Sequence, residues 1–246
     1  MISTDHADNM SSIHTTRRPR HGRLLSIILI CAFFLTGIAI LSYPFVSNYI
    51  NELHSSRVID RLKEELTHTD DTELHRQREM AKQYNQSLHR TGEDAPCPYN
   101  YEDILSFPGG IMGYLEIPAI GVHLPIYHGT GENALAKGVG HLPDTAFPIG
   151  GKGNHSVLTG HTGLPSAKLF TDLTKLATGD FFTIHILDEI LTYEVDQINI
   201  VLPSEADKLL PMAGADYCTL VTCTPYGVNS HRLLVRGRRI FTDSGK

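Results

Sequence analysis

Two cysteines, Cys218 and Cys223, stand five positions apart in "DYCTLVTC", and "TPYGVNS" then leads to Arg232 in "HRLLVRGRR". Cysteine serves as a metal ligand, a nucleophile or a small core residue, and spacing helps to separate these uses. Structural zinc sites favour cysteine pairs two to four residues apart on a turn, repeated or followed by paired histidines. An offset of five in a regular strand sends the two side chains to opposite faces, so they cannot easily share an ion. Neither a metal nor another cofactor is expected. Pro225 and Gly227 interrupt the strand, so the two runs read as an antiparallel hairpin with Cys223 and Arg232 flanking its connection. A cysteine nucleophile needs access and a cationic neighbour that favours the thiolate. Cys223 fits that description, and Cys218, well inside the strand, reads as core. Arg236 and Arg238 share the strand face of Arg232, and nearness to Cys223 is what separates it. With Arg239 they read as a solvated basic rim.

Thiol chemistry also needs a proton donor and acceptor, usually histidine. In "NHSVLTGHTGLP" the apolar pair Val157-Leu158 leads to Thr159-Gly160-His161, and the chain then turns at Gly163 and Pro165. His161 therefore sits at a strand-to-loop junction, where a scaffold fixes the backbone and a loop leaves room for substrate. His128, His141 and His155 remain competitors on spacing alone.

The elements that must position these residues are mostly short β-rich runs separated by turn signals. "IMGYLEI", "VHLPIYHG", "HSVLTGH", "DFFTIHIL", "ILTYEVDQINIVL", "DYCTLVTC" and "HRLLVRGRRI" predict seven or eight strands over residues 111–241, an all-β sandwich or closed barrel. Only residues 132–136 and 167–176 read as helical patches, and Asp188-Glu189 as a hairpin turn. Residues 89–110 are a linker by composition, broken by Gly92, Pro96, Pro98, Pro108, Gly109 and Gly110. Residues 47–88 are charged and free of Gly and Pro, with Leu53, Ile59, Leu62, Leu66 and Leu74 at loosely helical spacing. They predict N-terminal helices forming a stalk, interrupted near "THTDDT". Residues 242–246 are a polar tail.

Ahead of these lies an uncharged apolar run, residues 24–41, extended to residue 46 and long enough to cross a bilayer core of about 30 Å. A cleaved leader would have a shorter apolar region and a small-x-small site, which "LSYPFVSNYI" does not offer. The expectation is a single anchor at 24–46, with Cys31 a plain apolar side chain within it. Arg17, Arg18, Arg20 and Arg23 precede the run, so a cytoplasmic tail at 1–23 and an extracellular remainder are expected. Residues beyond 43 hold 17 of the 21 basic and 25 of the 27 acidic residues, which argues against a nucleic-acid surface. Three cysteines, Cys97, Cys218 and Cys223, then lie outside the cell, an odd number where disulfides can form.

"TLVTC", residues 219–223, resembles the Thr-Leu-x-Thr-Cys signature of the sortases, membrane-anchored cysteine transpeptidases of Gram-positive bacteria built on an eight-stranded β-barrel. "GYLEIPAIGVHLPIYHGT", "HSVLTGHTGLPSAKLFTDL" and "TLVTCTPYGVNSHRLLVRG" resemble the class C, pilin-polymerising branch, over roughly residues 80–240. The resemblance implies Cys223 as nucleophile, His161 as catalytic histidine and Arg232 as catalytic arginine. It implies cleavage of a Leu-Pro-x-Thr-Gly-type sorting signal between Thr and Gly, a thioacyl enzyme, and transfer to a lysine amine of a pilin partner. A housekeeping-type sortase feeding peptidoglycan, a non-catalytic pilus-assembly module and a plain cysteine protease are the competing readings.

The chain departs from the class C pattern at two places. Members commonly carry an Asp-Pro-aromatic lid ahead of the barrel, and the corresponding stretch here is "GEDAPCPYNY". The expectation is that Asp94 engages Arg232, that Cys97 lies over Cys223, and that Tyr99 or Tyr101 supplies the ring. Many members also finish with a second membrane segment, whereas this sequence closes on "RRIFTDSGK".

Overall fold

A computed structural model describes residues 20–89, 97–206 and 214–240. The chain divides into two units, Met1–Tyr43 and Pro44–Lys246. The described part of the first unit is the opening of α1 (Arg20–His68), and its apolar side chains from Leu24 to Leu41 are largely exposed. Among the described residues α1 is the one helix long and apolar enough to cross a membrane.

The second unit is built on a closed barrel of eight strands: β1 (Ile111–Ile117), β2 (Val122–His128), β3 (Val139–His141), β4 (His155–Thr159), β5 (Phe181–Ile186), β6 (Glu189–Val201), β7 (Tyr217–Thr224) and β8 (His231–Arg239). Around the barrel the order is β1-β2-β3-β4-β7-β8-β6-β5, with β5 closing onto β1. The β2–β3 and β4–β7 pairs are parallel and the others antiparallel. Closure removes every sheet edge. The interior is filled by alternating apolar residues such as Leu115, Ile117, Phe182, Ile184, Leu220 and Val235, all fully buried. Gly237 on β8 is required by this packing: a Cβ there would lie 2.5 Å from the Phe182 ring, which stacks on Tyr193 at 5.4 Å.

Rather than standing off as a solvated stalk, residues 47–88 form a layer on the barrel. They comprise the later part of α1 and α2 (Asp71–Ser87), and the break at 69–70 falls inside "THTDDT". Ile59 and Leu62 of α1, with Leu74, Met80, Ala81 and Tyr84 of α2, are buried in the main core. The helical spacing of those apolar residues is a buried stripe. Two polar side chains on α2 are buried as well, and both satisfy backbone groups that would otherwise lack partners. Gln77 Oε1 accepts from the Leu105 amide at 2.7 Å, and Asn85 both donates to the Phe147 carbonyl (3.0 Å) and accepts from the Phe147 amide (2.7 Å). Residues 167–176 differ from the expected helix. Leu169 takes φ +39°, which no right-handed helix admits, and only one 3-10 turn, Leu173–Lys175, follows.

Candidate active site

Strand β7 separates its two cysteines by face, as an offset of five requires. Cys218, Leu220 and Thr222 point into the barrel, while Val221 and Cys223 point out. Complete burial pushes the Cys218 thiol well above the ordinary range and keeps it protonated. On the outer face Val157 of β4, Val221 of β7 and Leu234 of β8 make a separate small cluster, with Leu142 and Val201 packed against it. Leu142, Val157 and Val221 of this cluster floor a groove of about 510 Å³, the size of a small-ligand or peptide site. Cys223, His161 and Arg232 all line it, with Thr130, Leu135, Pro203 and Ser204 on the walls.

Cys223 and Arg232 are direct cross-strand partners at the end of the β7–β8 hairpin. Arg232 Nη1 donates to the carbonyls of Asn229 and His231, both at 3.2 Å, which ties the guanidinium to the hairpin connection. Its Nε and Nη2 make no hydrogen bond among the described residues. Arg236, on the same strand face, is committed elsewhere. It forms a two-pronged pair with Asp196 (2.9 and 2.8 Å) over the Tyr217 ring, so it is no free solvated rim.

His161 follows the end of β4, which runs parallel to β7, and the backbone on either side of it is pinned. The Gly160 amide donates to the Val221 carbonyl (3.1 Å), the Thr222 hydroxyl to the Gly160 carbonyl (2.7 Å), and the Phe170 amide to the His161 carbonyl (3.0 Å). The Phe170 ring lies flat on Gly160, where a Cβ would sit 2.8 Å away. Sequence reasoning passed over Thr222, Gly160 and Phe170. Thr222 carried a signal, since it precedes Cys223 in "TLVTC" and a hydroxyl on an inward position needs a partner. Phe170 carried none, because its role depends on a loop closing back.

The three competing histidines are used by the fold. His141 is fully buried, its ring stacked with those of Phe147 and Tyr101 at 4.9 and 5.7 Å. Its Nε2 lies 3.0 Å from the Ala146 carbonyl, which can only accept, so the proton belongs on Nε2 and Nδ1 accepts from the Tyr101 hydroxyl at 2.9 Å. Burial lowers its pKa to about 4 and holds it neutral. His155 is buried with Nε2 2.7 Å from the Thr219 hydroxyl, and His128 Nε2 donates to the Ile104 carbonyl at 2.6 Å. The ring of His161 makes no hydrogen bond among the described residues.

The lid expectations fare differently. Asp94 lies outside the described residues. Cys97 and Tyr99 are half-buried against the main core, near Tyr84 and Arg76 of α2 respectively, and neither lines the Cys223 groove. Cys97 is thus no part of the lining of the groove that holds Cys223, and all four cysteines are free thiols. Tyr101, in the same segment, accepts from the Gly129 amide (3.0 Å), donates towards His141, and stacks on Phe147 at 5.2 Å. These contacts hold the segment against α2, β2 and β3. Among the described residues no group of three or more His, Cys, Asp or Glu is arranged to hold a metal ion.

Fold and groove together define a closed eight-stranded barrel with cysteine, histidine and arginine gathered on one outer groove. Comparison with known proteins gives that architecture its family: the sortase domain matches residues 115–240, and the chain belongs to the sortase family of transpeptidases. Its structural neighbours are class C sortases. Sortase C1 of Streptococcus agalactiae is 45% identical, with a TM-score of 0.69, over 76% of this chain and 100% of that one. Sortase C of Streptococcus pneumoniae, whose structure is described as bearing on catalysis and pilin substrate specificity, is 43% identical with a TM-score of 0.70 over 77% and 100%. Sortase A of Bacillus anthracis is 25% identical over 91% of this chain and 98% of its own length.

Proposed function

We propose that the protein is a pilin-polymerising transpeptidase held in the membrane by residues 24–46, with its barrel outside the cell. The observation that carries this reading is the shared groove: Cys223 of β7, Arg232 of β8 and His161 of the loop after β4 line one cavity. The likeness to class C sortases at 43–45% identity supports the choice of substrate class.

In the proposed reaction the Cys223 thiolate adds to the threonine carbonyl of a Leu-Pro-x-Thr-Gly-type signal. The Arg232 guanidinium, cross-strand from Cys223, donates to the developing oxyanion. His161, as imidazolium, gives its proton to the departing glycine amine, which leaves a thioester on Cys223 and a neutral imidazole. A pilin lysine amine then adds to the thioester, its proton returns to His161, and the thiolate is released as an isopeptide bond forms. The apolar floor of Leu142, Val157 and Val221 suits the leucine and proline of such a signal.

The test is to incubate the full-length protein, reconstituted in vesicles, with candidate pilins and to look for covalent ladders. Ladders lost on Cys223→Ala support the reading. Product formed only with a peptidoglycan-precursor amine would make it a housekeeping-type enzyme, and hydrolysis outpacing every amine would make it a protease. Ladders that persist in Cys223→Ala would leave the barrel as a binding module.

A further inference from the structure

The last residues of the apolar run sit beside the rim of the groove. Pro44 and Phe45 line a second cavity, of about 310 Å³, whose other walls include Leu164, Pro165, Ala167 and Tyr226. Leu164 to Ala167 belong to the loop that follows His161, and Tyr226 to the connection that follows Cys223. The two loops touch. Gly163 takes φ +73°, and a Cβ on it would lie 3.1 Å from the Tyr226 ring. Helix α1 is tied to the first loop where the Lys168 amide donates to Asn48 Oδ1 at 2.7 Å. Yet the apolar groups here are open: Phe45 is 79% exposed, and Tyr226 and Val228 are each 68% exposed.

Helix geometry sets the level of Phe45 along α1. At 1.5 Å per residue, about 10 residues separate the midplane of a ~30 Å hydrocarbon core from its boundary. With the run spanning residues 24–46 and its middle near residue 35, Phe45 falls at that boundary. Leu164, Pro165 and Tyr226 line one cavity with Phe45. That level is where tyrosine and other amphipathic aromatics are favoured, one end apolar and the other wet.

We propose that the rim formed by Phe45, Leu164, Pro165, Tyr226 and Val228 seats in the interfacial layer of a lipid bilayer, so that the Cys223 groove opens at the membrane surface. The inference rests on reading residues 24–46 as a membrane anchor. A rim held there restricts the groove to substrate segments presented at the bilayer surface.

The chain contains no tryptophan, so one introduced indole reports one place. Full-length Phe34→Trp, Tyr226→Trp and Ile190→Trp variants would be reconstituted in two sets of phosphatidylcholine–phosphatidylglycerol vesicles, whose acyl chains carry bromine near the headgroup in one and near the terminal methyl in the other. Phe34 lies in the apolar run, and Ile190, 60% exposed, lies at the end of β6 opposite Val201, the partner of Arg232. Phe34→Trp, at the midplane, should be quenched by the deep bromine, Tyr226→Trp should lose about half its emission to the shallow bromine, as befits a ring ~5–10 Å into the interface, and Ile190→Trp should stay bright in both. Quenching of Tyr226→Trp no greater than that of Ile190→Trp, with Phe34→Trp quenched, overturns the interfacial rim and leaves the anchor standing. An unquenched Phe34→Trp overturns the anchor and the rim together.

Discussion

The sheet formed by β3, β4, β7 and β8 has two faces with opposite properties. Inside, Cys218 and Leu220 are sealed in the barrel, His141 is stacked between aromatic rings, and every polar group named above has a partner. Outside, Cys223, His161 and Arg232 surround a small apolar floor and keep hydrogen-bonding capacity unused among the described residues. The inner face fixes the backbone, and the outer face inherits that rigidity while staying open to a ligand. Thr222 joins the two, its inward hydroxyl binding the carbonyl of the residue before His161.

The largest effect should come from exchanging the two cysteines' fates. Cys223→Ala should cut transpeptidation at least ~1,000-fold with little change in the unfolding midpoint, since nothing in the fold depends on that thiol. Cys218→Ala should leave turnover near normal and cost about 1 kcal/mol of stability, read from urea unfolding. Equal loss of activity in both would break the contrast.

Next come the arginines. Arg232→Ala should lower kcat by about 100-fold or more, as loss of an oxyanion donor does, whereas Arg236→Ala should leave kcat intact. Steady-state rates with a fluorogenic signal peptide separate them. Gly160→Ala should lower kcat by ~10- to 100-fold, because its Cβ meets the Phe170 ring at 2.8 Å and shifts the strand end that carries His161. Retained circular dichroism with reduced kcat supports displacement. Unchanged kcat would mean that Phe170 yields at no expense to His161.

The last effect is on stability alone and concerns the inner face under acid. His141 has its pKa lowered to about 4 in the folded chain, against about 6.5 when unfolded. Below pH 6.5 the unfolded chain gains a proton that the folded chain refuses, so its stability contribution is complete above pH 6.5. It is lost as pH falls towards 4, by on the order of 3 kcal/mol. Urea midpoints at pH 7, 5.5 and 4.5 should follow that fall, and His141→Gln should flatten it. A slope that persists in the variant would assign the effect to other groups.

How much of this was legible depended on whether the determining contact was local. The sidedness of Cys218 and Cys223 followed from an offset of five in a strand, and the Cys223–Arg232 pairing from a hairpin broken by Pro225 and Gly227. Strand β3 was not seen as a separate run: it has three residues, and its parallel pairing with β2 has no local signature. The apolar spacing in residues 47–88 revealed helices but not where their buried face docks. Cys97 was expected over Cys223 because its neighbourhood resembles a lid. It does not line the groove, and its segment is tied to the barrel through Tyr101, by contacts with Gly129, His141 and Phe147 that sequence proximity does not reveal.

The central claim is that the outer cysteine alone carries the acyl group. Incubating the full-length protein with a sorting-signal peptide in the absence of an amine, quenching in acid and mapping the adduct by mass spectrometry tests it directly. The expected result is a thioester to the threonine of the signal on Cys223, with Cys31, Cys97 and Cys218 unmodified. An adduct on Cys97 or Cys218, or full turnover with no adduct on Cys223, would contradict the account.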